Sequence, residues 1–225
     1  MAHELNSAHA KSPAVDQPGY IDPSADRRTR TRQRRRNEVY AAAVDLFIAQ
    51  GFASTTMDEI ADRADVARAT VFNYFPRKTA FLDEWTARRR ARATAATTAV
   101  AGGTLDQQLH RYMIEMAKIS EETREETRAM LSATLQQTNF FARPQLADEL
   151  ATLIRNGRDG GTVPADIHAE QVGLILATSY FAVLNKWIAS DPPEFDLERE
   201  LLIVVNTILY GAYSPRQALN PPTAR

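Results

Sequence analysis

Residues 56–75 decide how the chain folds: Thr56-Met57-Asp58-Glu59-Ile60-Ala61-Asp62-Arg63-Ala64-Asp65-Val66-Ala67-Arg68-Ala69-Thr70-Val71-Phe72-Asn73-Tyr74-Phe75. Thr56 and Glu59 stand at the capping-box spacing, in which a hydroxyl and a carboxylate satisfy free amides at a helix start. Ile60, Ala61 and Ala64 then supply an apolar face for about two turns. After Asp65-Val66 an inward face resumes at Val71, Phe72 and Phe75. The spacing predicts two very short helices around a tight corner.

The flanks extend this pattern in both directions. Upstream, Val39, Tyr40, Ala43, Val44, Phe47 and Ile48 recur along one helix face from about Arg30. Gly51 ends that face, since glycine takes the left-handed conformation of a helix cap and lets Phe52 fold back on Phe47. Downstream, Pro76 disfavours helical geometry at Phe75 and suits the first turn of a helix beginning near Arg77 or Lys78. Phe81, Leu82 and Trp85 mark the buried side of that helix. Residues 1–26 carry Pro13, Pro18, Pro23 and Gly19 with no apolar period, so a tail without regular structure is expected over 1–29.

Beyond residue 92 no strand alternation occurs. Helical stretches are expected near 104–120, 122–139, 145–157, 166–190 and 195–213, separated by breakers such as Gly102-Gly103, Gly160-Gly161 and Pro192-Pro193. The last two are apolar nearly all the way round, with Leu174, Ile175, Leu176, Tyr180, Phe181 and Leu184 in one and Leu201, Leu202, Ile203, Val204 and Val205 in the other. A helix apolar on every side needs cover on every side, which a second copy of the chain supplies. The reading is all-α: a three-helix N-terminal head over 30–92, a helical body over 93–215, and a short tail over 216–225.

The 225 residues suffice for one large core or two modest ones. Apolar residues at 44% and charged residues at 24% suit a globular chain, and the apolar runs fall short of the ~20 residues that cross a bilayer. Without an apolar leader, the expected location is the cytoplasm, with no membrane partner. The absence of cysteine excludes disulfides, thiolate catalysis and cysteine-bound metals. The formal net charge of −1 hides a strong division. Residues 27–92 hold 15 Lys/Arg against 8 Asp/Glu, while residues 93–225 hold 11 against 16. A basic head on an acidic body points to a polyanion as the head's partner.

A helix, a corner and a second short helix in a basic context fit a helix-turn-helix, whose second helix enters the DNA major groove. Many helical hairpins never touch DNA, so periodicity alone does not decide. The residue identities do: Gly51, Phe52, the run Thr55 to Ala64, Val66, the run Thr70 to Lys78, and Phe81-Leu82 closely resemble the N-terminal domain of the TetR family of bacterial transcriptional repressors.

That resemblance implies roles for particular positions. Thr56 sits where the family holds a phosphate with a hydroxyl and a helix amide. Arg68, Ala69, Thr70 and Asn73 occupy groove-facing positions of the recognition helix. Arg68 has the fork that pairs with O6 and N7 of guanine, and Asn73 the amide that pairs with adenine. Tyr74 and Lys78 occupy phosphate-contacting positions. Three residues depart from the pattern: Asp65 replaces a corner glycine, Ala67 replaces a capping serine or threonine, and Phe72 replaces a tyrosine. The seven arginines within Arg27–Arg36 fit either a phosphate-tracking arm or a solvated basic stretch, and the adjoining motif favours the first. Arg88, Arg89, Arg90 and Arg92 read as a solvated or salt-bridging face.

The resemblance further implies a homodimer through about 166–190 and 195–213, a near-palindromic double-stranded DNA operator, and release by a small apolar or amphipathic effector. Met113, Met116, Met130, Thr134, Gln137, Phe141, Tyr180 and Leu184 are the candidate pocket wall, the methionines adaptable and Thr134 or Gln137 a polar handle. Core packing alone explains the same pattern. No hydrolase, nucleotide-binding or metalloprotease motif occurs, so neither an enzyme nor a cofactor nor a metal is expected. A dimeric helical scaffold with a degenerate helix-turn-helix stays open as the alternative.

Overall fold

The computed structural model describes residues 23–98, 102–136, 145–159 and 166–211, and every regular element among them is helical. In chain order these are α1 (Pro23–Gln50), α2 (Met57–Arg63), α3 (Arg68–Tyr74), α4 (Thr79–Thr97), α5 (Leu105–Glu122), α6 (Arg124–Leu135), α7 (Gln145–Asp159), α8 (Ala169–Ala189) and α9 (Leu197–Tyr210). The fold is all-α, as the periodicity indicates.

The chain divides between Asn37 and Glu38 into two compact units. In the first unit α1 already runs from Pro23, seven residues upstream of the expected start. Proline suits a first helical position, and arginine forms helices well without needing a buried face. A helix exposed on all sides leaves no apolar period to read. Arg27, Arg28, Arg30, Arg32, Arg34 and Arg35 are exposed, and Gln33 Nε2 donates to Asn37 Oδ1 at 3.2 Å.

The second unit holds α2 to α9 and the rest of α1. Val39, Ala43 and Phe47 of α1 meet Ile60, Val71, Phe75, Phe81 and Trp85 in one core. Phe75 and Phe81 stack at 4.1 Å, and Phe47 meets Phe81 edge-on at 5.8 Å. Gly51 takes φ +86° and its amide donates to the Phe47 carbonyl, which places Phe52 4.9 Å from Phe47 as the cap predicts. The expected junction at 92/93 falls inside α4, a continuous helix whose buried face runs Phe81, Leu82, Trp85, Arg89, Ala93, Thr97.

In the body, α4 and α9 pack on α5, and α7 lies along α8. Gly173 permits that last contact: a Cβ there would fall 2.6 Å from the Ala147 carbonyl oxygen and 2.8 Å from the Ala151 nitrogen. Thr104 and Gln107 form a capping box at α5, and the Asp196 carboxylate accepts from the Arg199 amide at the start of α9. By length and composition α8 is apolar enough to cross a membrane, yet Leu176, Ala177, Tyr180, Phe181, Leu184, Trp187 and Ile188 are buried against its neighbours. Its other side keeps Leu174 and Ile175 exposed, at 43% and 51%, and α9 keeps Ile203 at 47%. One chain therefore covers only half of each apolar circumference.

Candidate nucleic-acid interface

The corner is built by local chemistry. The Thr56 hydroxyl accepts from the Glu59 amide at 3.2 Å, and Glu59 Oε2 accepts from the Thr56 amide at 2.7 Å and from its hydroxyl at 2.9 Å. These bonds, the amide first, hold the Glu59 carboxyl below its ordinary pKa. Asp65 takes φ +51°, so the left-handed corner survives the loss of glycine because a short polar side chain tolerates that region. Ala67 precedes α3 without a side-chain cap, as its methyl dictates. What fixes α3 is its underside: Val71 and the following Phe75 have no exposed surface.

With that face buried, Arg68, Ala69 and Asn73 are exposed, and Thr70 and Tyr74 are half-buried. The Arg68 side chain is 66% exposed, its Nε 2.9 Å from Asp58 Oδ1 and its guanidinium 5.4 Å from the Phe72 ring. An exposed pair of this kind is worth at most ~1 kcal/mol, so Asp58 holds Arg68 only weakly. Lys78 has another arrangement. Its Nζ donates to the carbonyl oxygens of Phe52, Thr55 and Ala53 at 2.7, 2.8 and 3.1 Å, and lies 4.7 Å from the Phe52 ring. All three ammonium hydrogens thus tie the α1–α2 loop to the start of α4, a holding role that the motif match alone did not reveal.

Of the residues expected to wall an effector pocket, Met113, Met116, Met130, Thr134, Tyr180 and Leu184 are all buried, at most 4% exposed. The Thr134 hydroxyl is spent on the Met130 carbonyl at 2.7 Å. Gln137 and Phe141 lie outside the described residues. Two open clefts flank this interior. One of about 350 Å³ separates Phe47–Ser54 from Glu125, Arg128 and Ser132 of α6. The other, of about 480 Å³, is bordered by Arg90, Thr94, Tyr112, Glu149 and Leu153.

The α4 arginines only partly match the solvated or salt-bridging face expected of them. Arg88 pairs with Glu84 at 2.7 Å and lies 4.0 Å over the Tyr40 ring, whose hydroxyl donates to Glu126. Arg90 pairs with Glu149, and Arg92 with Glu115 and Glu122, each at 2.6 Å. Burial and Glu149 push the Tyr112 hydroxyl pKa far up, so it stays a donor to that carboxylate, at 2.9 Å. Arg89, by contrast, is interior. The signal was present in the sequence, since Arg89 lies four residues after Trp85 and seven after Leu82 on the apolar stripe.

Comparison with known proteins fits this geometry. Residues 39–85 match the family model described as bacterial regulatory proteins, tetR family. Over 192 residues the chain is 24% identical to the HTH-type transcriptional repressor KstR of Mycolicibacterium smegmatis, covering 81% of this chain and 90% of that one. Among solved structures it resembles Thermus thermophilus FadR, a TetR-family transcriptional repressor in complex with lauroyl-CoA. That match has 28% identity and a TM-score of 0.64, and covers 84% of this chain and 98% of the other. The fold is also that of FadR from Bacillus subtilis in complex with stearoyl-CoA, with 15% identity, a TM-score of 0.62 and coverage of 78% and 98%.

Proposed function

We propose that the chain is a regulator of the tetR family, a homodimeric repressor released from a near-palindromic operator by a small amphipathic effector. The observation that carries this reading is α3 itself: Val71 and Phe75 anchor one side while Arg68, Ala69 and Asn73 face solvent. In the proposed complex Arg68 leaves Asp58 to donate twice to a guanine, and Asn73 pairs with an adenine. Thr70 lines the groove, while Thr56 and Tyr74 contact phosphates and so set the register without reading sequence. Lys78 contributes through the loop it holds, its hydrogen bonds being already committed. The arginines of Arg27–Arg36 add phosphate contacts.

Pairing is supported by the uncovered apolar sides of α8 and α9, Leu174, Ile175 and Ile203 among them. A second copy related by a two-fold axis buries both sets at once, and places two recognition helices about one helical turn of DNA apart, ~34–36 Å. The acyl-CoA held by the Thermus thermophilus relative supports an effector with a long apolar chain. The protein then acts where the DNA is, in the cytoplasm.

Selection of duplexes from a random pool, followed by titration of the enriched duplex at increasing salt, tests this reading. The expected result is an inverted pair of half-sites ~10 bp apart and an affinity that falls steeply with salt as counterions are released. A chain that prefers no duplex over competitor DNA is not this regulator.

A further inference from the structure

Four arginines follow one another closely on α4, and the most buried of them is the one without a carboxylate. Arg88, Arg90 and Arg92 each pair with glutamate. Arg89, 4% exposed, makes no ion pair with any described residue. Hydroxyls surround its guanidinium instead. Ser120 of α5 accepts in a short bond, Thr127 of α6 accepts at 3.2 Å, Tyr180 of α8 at 3.3 Å, and Thr123 between α5 and α6 at 3.5 Å. The Trp85 ring lies 4.9 Å away. Neutral oxygens satisfy the N–H groups but leave the charge uncompensated, the costliest state for a buried ion.

The surroundings on one side are pliable and apolar. Met116 lies one turn before Ser120 and accepts its hydroxyl at the backbone, Met130 lies one turn after Thr127, and Met113 lies one turn beyond Met116. All three are at most 3% exposed. Methionine side chains are unbranched and reshape around a guest with little strain. A cationic end ringed by hydroxyls therefore lies within two helical turns of three buried thioethers on α5 and α6. That is the complement of an amphiphile with one anionic end.

We propose that Arg89 anchors the effector's anionic end, a carboxylate at the head of an apolar chain that takes the place of the methionine side chains. This rests on the regulator reading and specifies the effector class it leaves open. The carboxylate accepts two parallel bonds from the guanidinium and supplies the missing charge, and the ring hydroxyls turn to donate to it. Because Arg89 shares α4 with Trp85 and Phe81, which sit in the core beneath α3, an occupant here acts on the helix that seats the head.

The test uses the full chain carrying Trp187→Phe, so that Trp85 is the sole tryptophan. Dodecanoate, dodecanol and dodecanoyl-CoA are titrated below micellar concentrations, with Trp85 emission as the readout. Dodecanoate is expected to bind about tenfold or more tighter than dodecanol at neutral pH, as a charge-assisted pair requires. Arg89→Met should bring the two within about twofold, and Arg89→Lys should keep a reduced preference. Arg89→Met is also expected to melt at or above the wild-type temperature, because it removes an uncompensated charge.

Equal binding of acid and alcohol, no binding of the acid, a preference that survives Arg89→Met, or binding of the thioester alone would each overturn the proposal. If Arg89→Met does not fold, the acid-to-alcohol ratio in the parent and in Arg89→Lys decides. The fluorescence assay contains no DNA, so failure of duplex selection and failure of carboxylate recognition are separate results.

Discussion

Arg68 and Arg89 are the same residue type in two settings. Arg68 stands in water with Asp58 beside it; Arg89 sits in the interior among hydroxyls, with no carboxylate paired to it among the described residues. An exposed ion pair contributes little and exchanges readily, so Arg68 is held in place yet free to take a base edge. A buried charge without a counter-ion is costly to keep, and the usual remedy is a partner of opposite sign. Exposure thus suits one arginine to the proposed reading of an external polyanion, and burial suits the other to the proposed internal anion.

The sharpest way to break this contrast is to disturb the helix that carries Tyr180 to the Arg89 ring. Gly173→Ala sets a Cβ against backbone atoms of Ala147 and Ala151, which cannot turn aside as a flexible side chain would. It should cost about 3 kcal/mol, seen as a lower denaturant midpoint, and should alter Trp85 emission. Arg68→Ala is expected to cost about 1–3 kcal/mol of operator binding at one base position while changing unfolding free energy by less than ~0.5 kcal/mol. A large stability loss would mean that the pair with Asp58 is structural.

Lys78→Met sets the holding role of Lys78 apart from the exposed position of Arg68. Because its donors hold three loop carbonyls, the variant should lose about 1–2 kcal/mol of stability by chemical unfolding and barely change the salt slope of DNA binding. A slope reduced by about one would return Lys78 to direct phosphate contact.

The smallest effect concerns Glu59. Its folded pKa lies below the ordinary 4.5, so its contribution is complete above that value and fades as the pH falls through the folded pKa. In Glu59→Gln the acid limb of the stability curve should flatten. An unaltered limb would show that the capping box carries no linkage.

The head was legible in the sequence because its determinants are short-range. Thr56 finds Glu59 three residues on, Gly51 and Asp65 turn the chain where their φ values require, and Phe47, Phe75 and Phe81 each fall on the apolar face of their own segment. The role of Lys78 was not legible, since its partners lie more than twenty residues upstream and are backbone oxygens that any residue presents. Helix ends in the body followed from breakers and periodicity. The interior position of Arg89 followed from the same period, yet its charge pulled the reading toward the surface.

By itself the sequence determined the helical class, the corner between α2 and α3, and the basic head on an acidic body, because periodicity, capping and charge act over a few residues. Only the tertiary structure decided that α8 and α9 keep one apolar side open, that Lys78 spends its donors on a loop, and that hydroxyls from α5, α6 and α8 meet on one guanidinium. Those outcomes depend on which surfaces come together, and residues distant along the chain carry no local mark of it.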